Sequence, residues 1–200
     1  MDSYRTILKP TAPILFKERK SKFFGYCFPV NDEEQVKQYI ASLKNEYPTA
    51  NHVCYAWQIG TTKKTYRAND DGEPNNSAGM PIYGQLQSYD VTNTLVAVVR
   101  IFGGTKLGVG GLITAYKETA KIALEQAQII TKIIKQQFKI EFEYAEMDVV
   151  MRMVKKHQLE IISQDLHLKC SMVIAVKKSD FRRTLNLFKT QHKLKIKTDQ

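Results

Sequence analysis

The strongest pattern in the chain is the run Thr94-Leu95-Val96-Ala97-Val98-Val99-Arg100-Ile101-Phe102, which is apolar at consecutive rather than alternate positions. Such a run predicts a strand covered on both faces. Upstream, His52 to Ile59 alternates with a period of two, Lys63 to Ala68 follows as its hairpin partner, and Lys22 to Val30 mixes aromatic and β-branched residues as strands do. Asp32-Glu33-Glu34 opens an amphipathic helix ending near Pro48, with its acids where the helix dipole favours them. Ser77 is the expected cap of a short helix through Tyr83 to Gln87, and a long helix runs from about Gly111 into the Ile129 region. The residues before Lys22 read as irregular.

A second pattern begins near Gln137. Strand (Phe138 to Tyr144), helix (Glu146 to His157), strand (Leu159 to Gln164), strand (Leu168 to Val176), helix (Asp180 to Thr190) and strand (Lys193 to Lys197) spell the ferredoxin-like order βαββαβ. The expected fold class is therefore α+β, with domains over residues 1–136 and 137–200.

Composition narrows the class further. With 43% hydrophobic and 25% charged residues, the 200-residue chain is an ordinary globular protein, neither disordered nor fibrous. Cys27, Cys54 and Cys170 cannot all pair and show no CxxC spacing, which argues against a disulfide framework and a structural zinc site. Neither a membrane-spanning run nor a secretory signal is evident, so a cytoplasmic location is expected. The net charge of +10 favours polyanionic partners. It is densest at the end of the chain, where Lys177, Lys178, Arg182, Arg183, Lys189, Lys193, Lys195 and Lys197 are interrupted by a single acid, Asp180.

Four features carry candidate chemistry. In Gly103-Gly104-Thr105-Lys106-Leu107-Gly108-Val109-Gly110-Gly111, glycines at a helix start expose backbone amides that suit an anion, with Lys106 as a mobile charge. The same glycines also serve a tight, closely packed loop, and neither nucleotide-binding fingerprint fits. Asp70, Asp71 and Glu73 bring three carboxylates into one loop; helix capping and turn formation explain them more simply than a divalent cation. His52 and Cys54 share a strand face, as a nucleophile and its base would, but read as a packed pair and receive no catalytic role. Lys193, Lys195 and Lys197 lie on one side of a strand, either to protect an edge or, with Arg182 and Arg183, to meet nucleic-acid phosphates.

Three segments taken together resemble the YigZ/IMPACT family: Asp70-Asp71-Gly72-Glu73-Pro74, Ser77-Ala78-Gly79-Met80-Pro81, and Val98 to Leu112 with its glycine loop. His52-Val53-Cys54-Tyr55-Ala56 resembles that family's upstream strand, while Ile101 and Thr114 depart from its usual tyrosine and arginine. The resemblance implies a first domain folded like the second domain of a small-subunit ribosomal protein and the fourth domain of elongation factor EF-G. It implies a second domain like EF-G's fifth, and, from eukaryotic members, a link to translational control through protein partners. Fold alone does not establish function. The expectation is a non-enzymatic protein that binds RNA or the ribosome and regulates translation. Phosphate contacts would come from Gly103, Gly104, Lys106, Gly108, Gly110, Gly111, Arg100 if exposed, and Arg182, Arg183, Lys193, Lys195 and Lys197. His52, Asp70, Asp71, Gly72, Glu73, Pro74 and Ser77 form the family-motif loop region; no catalytic residue, metal or cofactor is assigned, and no membrane is expected as partner. The alternatives are a metal-dependent enzyme using Asp70, Asp71 and Glu73 on a phosphorylated small molecule, and a docking module for a protein partner.

Overall fold

Strand β6 (Thr94–Ile101) is the axis of the N-terminal unit, buried at every position but its last. The computed structural model describes residues 2–198. β6 pairs antiparallel with β3 (Ser21–Pro29) on one side and β4 (His52–Ile59) on the other. With β2 (Ile14–Glu18) and β5 (Thr65–Asn69) at the edges, they make a five-stranded sheet in the order β2-β3-β6-β4-β5. Because successive side chains alternate between faces, Val96 and Val98 point one way and Leu95, Ala97 and Val99 the other. The first face is covered by α2 (Gly79–Ser88) and α3 (Gly108–Gln126), whose Ile82, Leu86, Tyr116 and Leu124 join Cys27 and Cys54 in one core. The second is covered by α1 (Glu33–Glu46) through Val36 and Leu43, with Trp57 beside them. A central strand sealed on both faces explains its unbroken apolar run.

Helix α1 starts as the sequence predicts: the Asp32 carboxylate accepts the Gln35 N–H at 2.8 Å. Helix α2 does not. Its cap is supplied by Asp70, whose Oδ1 accepts the amides of Ala78 at 3.0 Å and Gly79 at 2.8 Å. The Ser77 hydroxyl is buried and has no hydrogen-bond partner among the described residues. The segment expected to be irregular holds β1 (Ser3–Ile7) and β2, and the long helix stops at Gln126, so that Ile129 belongs to β7 (Ile129–Ile133). β1 and β7 form a two-stranded sheet of their own.

Compactness divides the chain into Tyr4–Lys132 and a unit of residues 133–198 with residues 2–3. The second unit runs β8 (Lys135–Glu143), α4 (Met147–Lys156), β9 (Glu160–Leu166), β10 (Lys169–Lys177), α5 (Phe181–Lys189) and β11 (Lys195–Lys197). Its antiparallel order β11-β8-β10-β9 is that of a ferredoxin-like sheet. One face buries Phe138, Ile140, Phe142, Met172 and Ile174 against Val150 and Val154 of α4 and Phe188 of α5. The other carries the alternate residues, Lys139, Glu141, Ser171 and Val173 among them.

Two glycines of the same loop-and-helix segment separate packing from permissiveness. A Cβ on Gly103 would run into the main chain of Lys20, whereas one on Gly110 would meet nothing within 4 Å. Gly103→Ala is expected to cost about 1–3 kcal/mol of stability. Gly110→Ala in the first turns of α3 should gain about 0.5–1 kcal/mol. Urea denaturation of the two variants beside the parent checks both signs.

Candidate functional site

Strand register assembles the centre of the site. Arg100 on β6 stands opposite Phe23 on β3 and opposite His52 on β4. Facing residues share a sheet face, so the guanidinium lies among an aromatic ring, an imidazole and the covering helix α3. Its Cζ is 5.5 Å from the ring centroids of both Phe23 and Phe102. Arg100 is only 6% exposed, and Glu73, 8% exposed, meets it: Nη1 donates to Glu73 Oε1 at 2.6 Å. The Tyr116 hydroxyl donates to the same oxygen at 2.8 Å, and His52 Nε2 lies 3.9 Å from it. A buried guanidinium without a counter-charge is very unfavourable, so this pairing decides the local structure.

The acidic loop is built to deliver Glu73. Asp70 accepts amides of Asn76, Ala78 and Gly79, wrapping the chain around its carboxylate. Asp71 Oδ2 accepts the Val53 N–H at 2.7 Å, and its Oδ1 pairs with Lys44 at 2.9 Å, tying the loop to β4 and α1. Asp71 and Gly72 adopt positive φ angles of 41° and 90°, and the Asp71 carbonyl accepts a 2.8 Å hydrogen bond from His52 Nδ1. That bond fixes the proton of a neutral imidazole on Nδ1 and leaves Nε2 toward Glu73. The three carboxylates expected as a possible cation site therefore serve three separate tasks. Among the described residues no group of three or more His, Cys, Asp or Glu is placed to hold a metal.

Cys54 lies deeper on the same face, its thiol within 3.3 Å of the Tyr116 hydroxyl. Burial pushes the thiol well above the ordinary cysteine range, and burial likewise raises the Tyr116 phenol, helped by Cys54 and Glu73. Both stay protonated near neutrality.

An open cleft of about 440 Å³ rises from this floor, walled by His52, Glu73, Pro74, Arg100, Phe102, Lys106, Gly108, Val109 and Leu112. From sequence, Arg100 is a phosphate contact only if exposed; its burial and its pairing with Glu73 remove it from reach of a polymer backbone. Gly103 is likewise committed, its amide donating to Ser21 Oγ at 3.2 Å. Gly104 and Lys106 remain in the open loop, and Gly108, Gly110 and Gly111 lie at the start of α3, where the cap residue Leu107 offers no side-chain hydrogen bond. Tyr116 and Lys44 were not singled out from sequence. Their spacing from the motif, 43 and 27 residues from the groups they bind, carries no local signal.

In the second unit the expected basic cluster falls on two faces. Ile196 joins the core opposite Ile140, so Lys195 and Lys197 point to the open sheet face. There Lys197 and Lys139 both pair with Glu141, while Lys193, in the turn before β11, pairs with Glu146. Arg182 and Arg183 stand on the outer side of α5 instead, with Lys189; α4 adds Arg152, Lys155 and Lys156. All six are exposed, and none has a described carboxylate within ion-pairing distance. The last three were legible as an i, i+3, i+4 stripe opposite Val150 and Val154, but sequence reasoning passed over them.

The buried pair and the thiols are open to direct test. Glu73→Ala is expected to cost about 3–5 kcal/mol, since it strands Arg100, and the double variant Glu73→Leu, Arg100→Met should recover most of that loss in urea unfolding. All three cysteines are buried. A disulfide-exchange reagent at pH 8 should titrate none of them in the native protein and three in denaturant.

Comparison with known proteins places this corner in a wider context. Residues 19–124 match the family model "Impact N-terminal domain", which takes in β3 through most of α3. An IMPACT family member from Haemophilus influenzae is 31% identical over 84% of this chain and 84% of its own. IMPACT family member YigZ from Escherichia coli is 32% identical over 79% of each. A crystal structure of a hypothetical protein superposes with a TM-score of 0.73 at 25% identity, covering 100% of this chain and 98% of that one. With the matched residues enclosing both the acidic and the glycine loops, and the likeness continuing through the ferredoxin-like unit, this chain belongs to the IMPACT family.

Proposed function

We propose that the protein regulates translation by binding structured RNA, on the ribosome or free, and that it acts by binding rather than by catalysis in the cytoplasm. The observation that carries this reading is the outer surface of the α4–α5 layer, where Arg152, Lys155, Lys156, Arg182, Arg183 and Lys189 are exposed with no carboxylate partner among the described residues. Cations left unpaired on one helical layer are free to neutralise phosphates, and release of the nucleic acid's condensed counterions then drives association. The open sheet face supports RNA contact less well, because Lys139 and Lys197 share Glu141 there and, among the described residues, it presents no exposed aromatic platform of the kind that stacks bases. The likeness of the two units to the fourth and fifth domains of EF-G belongs to the same proposal, as does the role in translational control that the family resemblance implies.

Filter binding to an RNA hairpin across a salt series tests it. The logarithm of affinity should fall steeply with the logarithm of salt, by about 0.7–0.9 per phosphate neutralised. Arg182→Gln with Arg183→Gln should lower that slope by about 1.4–1.8, the share of the two phosphates no longer neutralised. Lys195→Gln with Lys197→Gln should leave it unchanged. A flat salt response, or loss of slope only in the second pair, overturns the reading.

A further inference from the structure

A cavity of about 480 Å³ opens at one end of the second unit's sheet, where α4 leads into β9 and β10 leads into α5. Strand register brings charges together there. Lys177, the last residue of β10, stands directly opposite Lys135, the first of β8, and Ala175 stands opposite Glu160 of β9. Facing lysines on one sheet face repel each other and cost stability. Lys135 is answered by Glu160. Lys177 is exposed and has no carboxylate within ion-pairing distance among the described residues, so the strand end carries a cation that works against the fold. Arg183, from the cationic layer of α5, lines the same cavity.

The remaining walls are not those of a simple anion site. Asp180 is exposed on the wall and its side chain does not cap α5, so a carboxylate acceptor stands beside the two cations. His157 is half-buried and presents an imidazole, with Leu159 and Leu187, also half-buried, as apolar neighbours. We infer that the cavity receives one unpaired nucleotide of the bound RNA, with a base that carries an exocyclic amino group; the inference rests on the RNA-binding reading above. The nucleotide's phosphate meets Lys177 and Arg183, its base lies against His157 and the leucines, and its amino group donates to Asp180, as cytosine does to carboxylates. Uracil, which has no such group, is disfavoured. Because Arg183 belongs both to the cavity and to the α5 cations, a strand held on that layer leads into the site. The volume lies within the range of small-ligand sites.

Calorimetric titration of the full chain with cytidine 5′-monophosphate, uridine 5′-monophosphate and ribose 5-phosphate tests the site. The cytidine nucleotide should bind about tenfold more tightly than either of the others, because only it engages every wall. Lys177→Gln relieves the repulsion from Lys135, so it should keep or raise the melting temperature while weakening cytidine nucleotide binding severalfold. Asp180→Asn should abolish the preference for cytidine over uridine. A blunt RNA duplex with a single bulged cytidine should bind about tenfold more tightly than the fully paired duplex, and Asp180→Asn should remove that difference without altering the salt slope. Failure of the RNA reading shows instead as a flat salt response with both duplexes. Absence of cytidine nucleotide binding, equal affinity for the uridine nucleotide or ribose 5-phosphate, or equal affinity for the two duplexes overturns the inference, the last even where the free nucleotide binds.

Discussion

A guanidinium inside a protein has to be answered by a carboxylate, and the N-terminal unit is organised around that requirement. Arg100 is carried into the interior by the central strand, and its place between Phe23 and His52 follows from strand register alone. Glu73 reaches it only because the preceding loop is folded by its own acids, Asp70 around the start of α2 and Asp71 onto the β4 main chain. Tyr116 then holds the shared oxygen from α3. One ion pair thereby couples the sheet, an irregular loop and a covering helix, with low-dielectric surroundings making each partner intolerant of the other's loss.

That arrangement also separates structural acids from accessible chemistry. Asp70 and Asp71 have their oxygens taken up by amides and Lys44, so their density in the sequence reflects loop construction. What faces solvent at this corner is different in character: an uncapped helix start, Lys106, and the apolar Phe102 and Val109. In the second unit the same sorting occurs by face. On the open sheet side Lys139 and Lys197 share Glu141, while the cations of the helix layer have no described carboxylate within ion-pairing distance. Charge total alone does not distinguish the two; the alternation of a strand and the periodicity of a helix do.

The elements with long or doubly covered patterns were readable from sequence. β4 and β6 carry enough apolar residues at the right period to declare themselves, and the βαββαβ order follows from alternating strand and helix periods. β1 and β2 did not declare themselves, since each spans five residues with mixed exposure and takes its identity from the partner it pairs with. The end of α3 was blurred because Ile129 and Ile130 suit either helix or strand until β1 supplies hydrogen bonds to β7. At the site, glycine and acid clusters marked the right segments, but roles inside them depended on contacts distant in sequence. Ser77 is a good cap by residue type and lost that place to Asp70, whose carboxylate reaches the α2 amides across the loop. Arg100 was a phosphate contact only on condition of exposure; register and Glu73 make it a core residue instead.

If the free cations of the α4–α5 layer are what meets RNA, amide shift mapping of the isotope-labelled full chain with an RNA hairpin reads this out residue by residue. Perturbations concentrated at Arg152, Lys155, Lys156, Arg182, Arg183 and Lys189 are the predicted result. Shifts centred on β8 and β11 of the open sheet face, or none above those caused by added salt, would contradict it.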